Sequence, residues 1–137
     1  MSTVTKFFFR APYVPKSTWA VLQWWESRRL VYNLAVGTAG LLTLTALSFL
    51  DALPPLLGGG RFRPPFLFIV AYGLLANLFF SAGPVVDALI CRRWGPDFAS
   101  LGPAIFRYGF AFAVGLTLLP IPMVLLAWGF RLLRWLL

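Results

Sequence analysis

The charged side chains of this chain are four acids and twelve arginines and lysines, and it has no histidine. Histidine is the usual general base at neutral pH, the commonest metal ligand and the usual axial ligand of haem. The acids are scattered along the chain: Glu26, Asp51, Asp87 and Asp97. The single cysteine, Cys91, excludes an internal disulfide or a multi-cysteine metal site. These residues predict a protein that is not an enzyme and has no metal or cofactor.

A line of small and polar residues runs along one apolar stretch of the chain. Gly73, Asn77 and Ser81 are four residues apart and share one face of a helix. Asp87 falls within about 40 degrees of Gly73 at about 100 degrees per residue. Small residues let helices approach closely, and polar residues can hydrogen-bond across such contacts. The stripe predicts a packing face or, in an oligomer, the lining of a pore.

Asp87 and Arg107 are expected near the same membrane face, at the end of one apolar stretch and the start of the next. Ionisable groups in such places are costly, and they often pair. We expect an ion pair that holds the two helices together. The alternative is two solvated charges at helix ends. Either arrangement is favoured over a role in transport, because so few intramembrane charges are present.

Three long apolar stretches must position these side chains: Val31–Leu53, Phe66–Ile90 and Ala104–Phe130. The chain is 60% hydrophobic and 12% charged, against about 25% charged in soluble domains. A helix that crosses the hydrocarbon core needs about 20 mainly apolar residues. The sequence therefore predicts an all-α bundle of three transmembrane helices, spanning 31–53, 66–90 and 104–130, in a single membrane domain. Antiparallel packing of the first two helices would place Asp51 and Asp87 near opposite faces.

The third stretch contains Pro120 and Pro122, and residues before proline avoid the helical region. This helix is expected to be kinked there or to end there. Residues 131–137, with Arg131 and Arg134, then suit an interfacial amphipathic tail or a helix whose arginines reach back to the membrane surface. A short re-entrant or fourth spanning segment is a further alternative.

Residues 1–30 are predicted to form an interfacial arm and helix. Pro12 and Pro15 argue against a helix in residues 1–16, where Phe7–Phe9 resemble an interface anchor. Ser17 can cap a helix over residues 17–30, which should lie on the membrane or lead straight into the first span. The predicted anchors in the headgroup region are aromatic and basic: Trp19, Trp24, Trp25, Arg28, Arg29, Arg92 and Arg93.

The basic residues are distributed unequally between the two predicted membrane faces. With a cytoplasmic amino terminus, eight lie inside and four outside, which agrees with the positive-inside rule. The carboxy terminus would then be outside, or inside if the tail re-entered. Because the net charge of +8 sits beside apolar segments, we expect it to bind anionic headgroups and not nucleic acid.

Three segments carry a resemblance to known proteins: WWESRRLVYN at Trp24–Asn33, the GTAG of the first span, and ANLFFSAGPVVD at Ala76–Asp87. Over about half of the chain, they resemble a family of small uncharacterised bacterial inner-membrane proteins. The resemblance implies an inner-membrane location and a helical architecture, and it brings no activity.

The functional prediction is an accessory or structural subunit, or a scaffold, of a larger membrane complex. Its partners would be other membrane subunits or further copies of the chain. One alternative is a small oligomeric channel or transporter that uses the Gly73–Asn77–Ser81 stripe. Another is a membrane-permeabilising effector whose cationic, aromatic ends engage anionic lipid.

Overall fold

The computed structural model describes residues 3–9, 17–54, 64–95 and 101–137. These residues form five helices and contain no strand: α1 Thr3–Phe9, α2 Thr18–Ala52, α3 Phe66–Trp94, α4 Gly102–Leu118 and α5 Pro120–Leu136. Three helical stretches are long and apolar enough to cross a membrane: α2, α3 and the continuous run of α4 and α5. The all-α architecture with three such helices is as predicted.

Helix α2 is a single helix of 35 residues that joins the predicted surface helix to the predicted first span. Ser17 caps it, because its Oγ accepts a hydrogen bond from the amide of Ala20 at 3.1 Å. The helix ends at Ala52, and Leu53 is extended before Pro54. Of the two expectations for residues 17–30, the structure has the continuous one, since these residues and the apolar stretch that follows belong to one helix. At about 1.5 Å per residue, α2 is roughly 52 Å long, well beyond a hydrocarbon core of about 30 Å.

Helix α3 runs antiparallel to α2. Tyr32 of α2 bonds to Ala76 of α3, whereas Trp25, earlier in α2, bonds to Asp87, later in α3. The helix passes through Pro84 and continues beyond the predicted end at Ile90 to Trp94. It stops at Gly95, whose φ of 89° is readily adopted only by glycine.

The third apolar stretch forms two consecutive helices, α4 and α5, which meet at Leu119 without a turn that reverses the chain. Proline has no amide hydrogen, so Pro120 and Pro122 cannot donate to the carbonyls four residues earlier, and the regular pattern is interrupted. Leu119 itself keeps helical angles of −53° and −36°, and its carbonyl still accepts from the amide of Met123. Helix α5 therefore continues in the direction of α4 and packs against α2. The expected interruption is thus seen as a helix boundary at Leu119, and residues 120–136 continue the same stretch without turning back.

Helix α1 corrects the expectation for the amino-terminal arm. Thr3–Phe9 are helical, because the helix ends before the prolines that argued against it. Phe7 and Phe8 pack against the aromatic core, whereas Phe9 is exposed. Two of the three phenylalanines of the predicted anchor therefore pack into the bundle, and the third lies on its surface.

Candidate functional site

A cluster of aromatic rings joins four helices at one end of the bundle, with Phe106 of α4 at its centre. Phe106 is 2% exposed. Rings with centroids 5.8 to 6.4 Å from it, mostly edge-on, include Phe7, Phe8, Trp24, Trp25, Phe80 and Phe110. Such pairs each contribute about 0.5–1.5 kcal/mol beyond the burial of their area. The cluster therefore holds α1, α2, α3 and α4 together at this end.

Arg28 lies between two aromatic rings of this cluster. Its guanidinium carbon is 4.8 Å from the ring centre of Phe7 and 3.7 Å from that of Trp24. The guanidinium donates to the carbonyl of Phe7 at 2.8 and 3.1 Å and to that of Trp24 at 2.9 Å. The Phe7 carbonyl belongs to the last turn of α1, where carbonyls lack helical partners. Arg28 thus caps α1 and attaches it to α2.

Three of the predicted headgroup anchors are buried in the bundle and do not face outward. Trp24, Trp25 and Arg28 are 9%, 2% and 7% exposed. Their spacing with Val21 and Tyr32 puts all of them on the face of α2 that packs on the other helices. Arg28 precedes the apolar segment that begins at Val31. Burial lowers the pKa of its guanidinium to about 10, so Arg28 is still protonated at neutral pH.

Trp25 and Asp87 form a buried contact between α2 and α3. The indole Nε1 of Trp25 donates to Oδ2 of Asp87 at 3.2 Å, and Asp87 is fully buried. The Trp25 ring also lies over Gly83, where an added Cβ would be only 2.5 Å from the ring. Glycine at this position therefore permits the close approach of the two helices.

The expected ion pair between Asp87 and Arg107 is not among the salt bridges that join described residues. Asp87 Oδ2 bonds to Trp25, while the Arg107 guanidinium lies 4.1 Å from the ring centre of Phe9. Both residues belong to the same end of the bundle, as predicted. Contact between the helices at this end is supplied by the aromatic rings between them.

Arg29 and Glu26 form the ion pair between described residues, at 2.7 and 2.8 Å. This pair also precedes Val31, and the hydrogen bond from Arg29 lowers the pKa of Glu26. Arg29 additionally lies 4.9 Å from the ring centre of Phe80 and donates to Ser81 Oγ at 3.3 Å. Arg29 is therefore partly a contact between α2 and α3.

The Gly73–Asn77–Ser81 stripe forms hydrogen bonds mainly within α3. Asn77 donates to the carbonyl of Gly73 at 3.1 Å, and Ser81 donates to that of Asn77 at 2.9 Å. A Cβ at Gly73 would meet nothing within 4 Å. The predicted packing face thus carries an open position at Gly73.

A second polar contact, which sequence patterns did not indicate, joins α2, α3 and α4. The hydroxyls of Tyr72 and Thr117 are 2.5 Å apart, and Thr43 donates to the Thr117 carbonyl at 2.7 Å. Thr117 also donates to the carbonyl of Ala113. Isolated threonines and tyrosines in apolar stretches carry no pairing signal, so only the packing of the helices reveals this contact.

The remaining predicted anchors are on the surface. Trp19 is 73% exposed, and Arg92 and Arg93 in the last turn of α3 are exposed as well. The exposed arginines of α3 lie at the same end as Arg28 and Arg29, since Asp87 contacts Trp25. This end of the described bundle is therefore cationic outside and aromatic inside.

An apolar groove of about 550 Å³ lies between α3 and α4. It is lined chiefly by aromatic and small side chains, and it runs from Tyr72 and Leu116 at one end to Val86 and Ile105 at the other. A Cβ at Gly109, in the α4 wall, would meet nothing within 4 Å. Over the four described ranges, no three His, Cys, Asp or Glu side chains come together as metal ligands.

These features define a class: an all-helical bundle with three helices long and apolar enough to cross a membrane, joined by an aromatic cluster at its cationic end. No protein-family model, curated protein or solved structure matches the chain.

Proposed function

We propose that the protein is a non-enzymatic structural or accessory subunit, or a scaffold, of a larger membrane complex. The observation that supports this proposal most is that polar side chains form hydrogen bonds between the helices of the bundle. Tyr32, Thr43, Tyr72 and Thr117 each join two helices, and Arg28 joins α1 to α2. Groups committed to such bonds serve the architecture and are not free to bind a reactant.

The outer surface supports the same proposal because it offers apolar area and an open small-residue position. Many large apolar side chains of α2 and α3 are exposed, among them Leu41, Leu74 and Leu78 at 67%, 68% and 67%. In a bilayer, such surface is satisfied by lipid, and association depends on close packing at small residues. Gly73, open and exposed beside Asn77, is the position where a partner helix could approach most closely.

The test is purification of the tagged protein from its native membrane in mild detergent, with quantitative mass spectrometry of what co-elutes. A defined set of larger membrane proteins at fixed stoichiometry is expected. Gly73→Leu should remove them, whereas Gly129→Leu, at another glycine with open space around it, should retain them. A homogeneous preparation of the chain alone would contradict the subunit role.

We further propose a bacterial inner-membrane location with the cationic end in the cytoplasm. The positive-inside rule supports this orientation, because Arg28, Arg29, Arg92 and Arg93 belong to one end. Helix α5 continues away from that end, so the carboxy terminus would be periplasmic. Cysteines introduced at Trp19 and Leu137, tested with a membrane-impermeant thiol reagent in intact cells on a Cys91→Ala background, should react only at position 137.

A second candidate is a small channel or transporter formed by several copies. The open position at Gly73 and the partly exposed Asn77 favour it, since both could face a shared axis. Liposomes carrying the purified protein should then conduct ions, and Asn77→Leu should abolish the conductance without preventing insertion. Depolarisation of cells on induction would instead favour the effector role.

A further inference from the structure

We propose that the groove between α3 and α4 is a binding site for one anionic phospholipid, with an acyl chain along the groove and the phosphate beside Arg93. This site is independent of the proposed subunit role.

The groove is elongated along α3 and α4, which suits a hydrocarbon chain. The α3 wall extends from Tyr72 to Val86, about 21 Å, and the α4 wall extends from Ile105 to Leu116, about 16 Å. Both lengths are shorter than the hydrocarbon core of about 30 Å, so the groove fits within the apolar depth of a bilayer.

The chemistry of the lining agrees with this occupant. The small residues Ala82 on α3 and Gly109 on α4 leave space in the groove, and phenylalanines form much of the remaining wall. The lining offers little for a polar ligand to bind, since the Tyr32 hydroxyl is occupied by the carbonyl of Ala76 and the Tyr72 hydroxyl by Thr117. An acyl chain in the groove would cover this apolar lining and would leave no polar group of the lining without a partner.

A cation stands where the headgroup of such a lipid would lie. Arg93 follows Ala82 by eleven residues and Val86 by seven, so it lies within about 20 degrees of both on the groove-facing side of α3. It is roughly 10 Å beyond Val86 along the helix axis, past the end of the groove. Its side chain is exposed, with the guanidinium 5.9 Å from the ring centre of Trp94. Basic residues at the membrane surface beside a cleft between helices favour anionic headgroups.

Arg92 provides a matched control within the same turn of α3. It is also exposed, but it points about 100 degrees away from Arg93 and therefore away from the groove. Gly115 is the matched control position for Gly109. Both glycines lie in α4 with nothing within 4 Å of an added Cβ, and only Gly109 lines the groove.

The experiment is native mass spectrometry of the delipidated full-length protein, titrated with phosphatidylglycerol or phosphatidylcholine of identical acyl chains. We expect one tightly bound lipid per chain, with an about fivefold preference for phosphatidylglycerol, since one arginine contributes about 1 kcal/mol toward an anionic headgroup. Gly109→Leu should weaken binding of both lipids by roughly tenfold because its side chain fills the groove. Arg93→Gln should remove the preference and keep the phosphatidylcholine affinity.

Gly115→Leu and Arg92→Gln should behave like the parent protein. Ala82→Leu, an exposed position on the α3 wall, tests the same filling if Gly109→Leu does not fold. Unchanged lipid binding in a folded groove-filling variant would overturn the proposal. So would a lipid-free dimer that dissociates on Gly109→Leu, because the groove would then be occupied by a second copy of the chain.

Discussion

Trp25 and Asp87, 62 residues apart in the chain, are joined by a buried hydrogen bond of 3.2 Å from the indole nitrogen to a carboxylate oxygen. The same indole lies on Gly83 and contacts Phe80 and Phe106. The hydrogen bond and these ring contacts together fix the register between α2 and α3. One side chain thus combines a polar contact with the packing of three helices.

Trp25→Phe should destabilise the protein by about 1–3 kcal/mol, since a buried carboxylate loses a donor while most of the ring packing is kept. Trp19→Phe, at an exposed position, should have no measurable effect. Thermal unfolding followed by circular dichroism in one detergent measures both. Equal stability of the two variants would show that the indole hydrogen bond contributes nothing.

Gly83→Ala should destabilise the bundle by about 1–3 kcal/mol, because the new Cβ would be 2.5 Å from the buried ring of Trp25. The matched change Gly37→Ala meets nothing within 4 Å, so alanine's better helix propensity should make it neutral or slightly stabilising. The same unfolding experiment compares them. Opposite signs are expected, and a stable Gly83→Ala variant would mean that Trp25 can move aside.

Arg28→Gln should release α1 from the bundle. A buried charged hydrogen bond contributes about 1.5–3 kcal/mol, and glutamine cannot lie between the rings of Phe7 and Trp24 while bonding the Phe7 carbonyl. Hydrogen–deuterium exchange over residues 3–9 should become at least about tenfold faster. Arg92→Gln is the control, and unchanged protection in Arg28→Gln would contradict the capping role.

Tyr72→Phe and Thr117→Val should show energetic coupling, since their hydroxyls are 2.5 Å apart. Interhelical hydrogen bonds in membrane proteins average about 0.6 kcal/mol in double-mutant cycles, with a maximum of about 1.7. A coupling energy in that range is expected. Pairing Tyr72→Phe with Thr45→Val, whose hydroxyl bonds to Leu41 of its own helix, should give a coupling near zero.

Glu26→Gln should change stability by less than about 0.5 kcal/mol at neutral pH, because the pair with Arg29 is largely exposed. The folded-state pKa of Glu26 is lowered by Arg29, so the small stabilisation is present above the unfolded value of 4.5 and is lost as the pH falls through the folded value. Unfolding of parent and variant at neutral pH and below pH 4 measures this. A large loss at neutral pH would show that the pair is not solvent-screened.

Some side chains reveal their role in the sequence because their signal is local. Ser17 before a helical run and the prolines at 120 and 122 act within one or two helical turns. The structure contains the cap of α2 and a helix boundary at Leu119. Partners that are distant in sequence have no such signal. Charge favours pairing Asp87 with Arg107, but in the structure Asp87 accepts a hydrogen bond from the indole of Trp25.

The sequence alone determined the helical class and the three apolar helices, because length and hydropathy are properties of each segment by itself. It also determined that arginines and tryptophans gather beside those segments. Which of them face outward was decided only by the tertiary structure. The face of α2 that carries Trp24, Trp25 and Arg28 is buried because α1, α3 and α4 pack against it, and that packing depends on the close approach at Gly83 and the rings around Phe106.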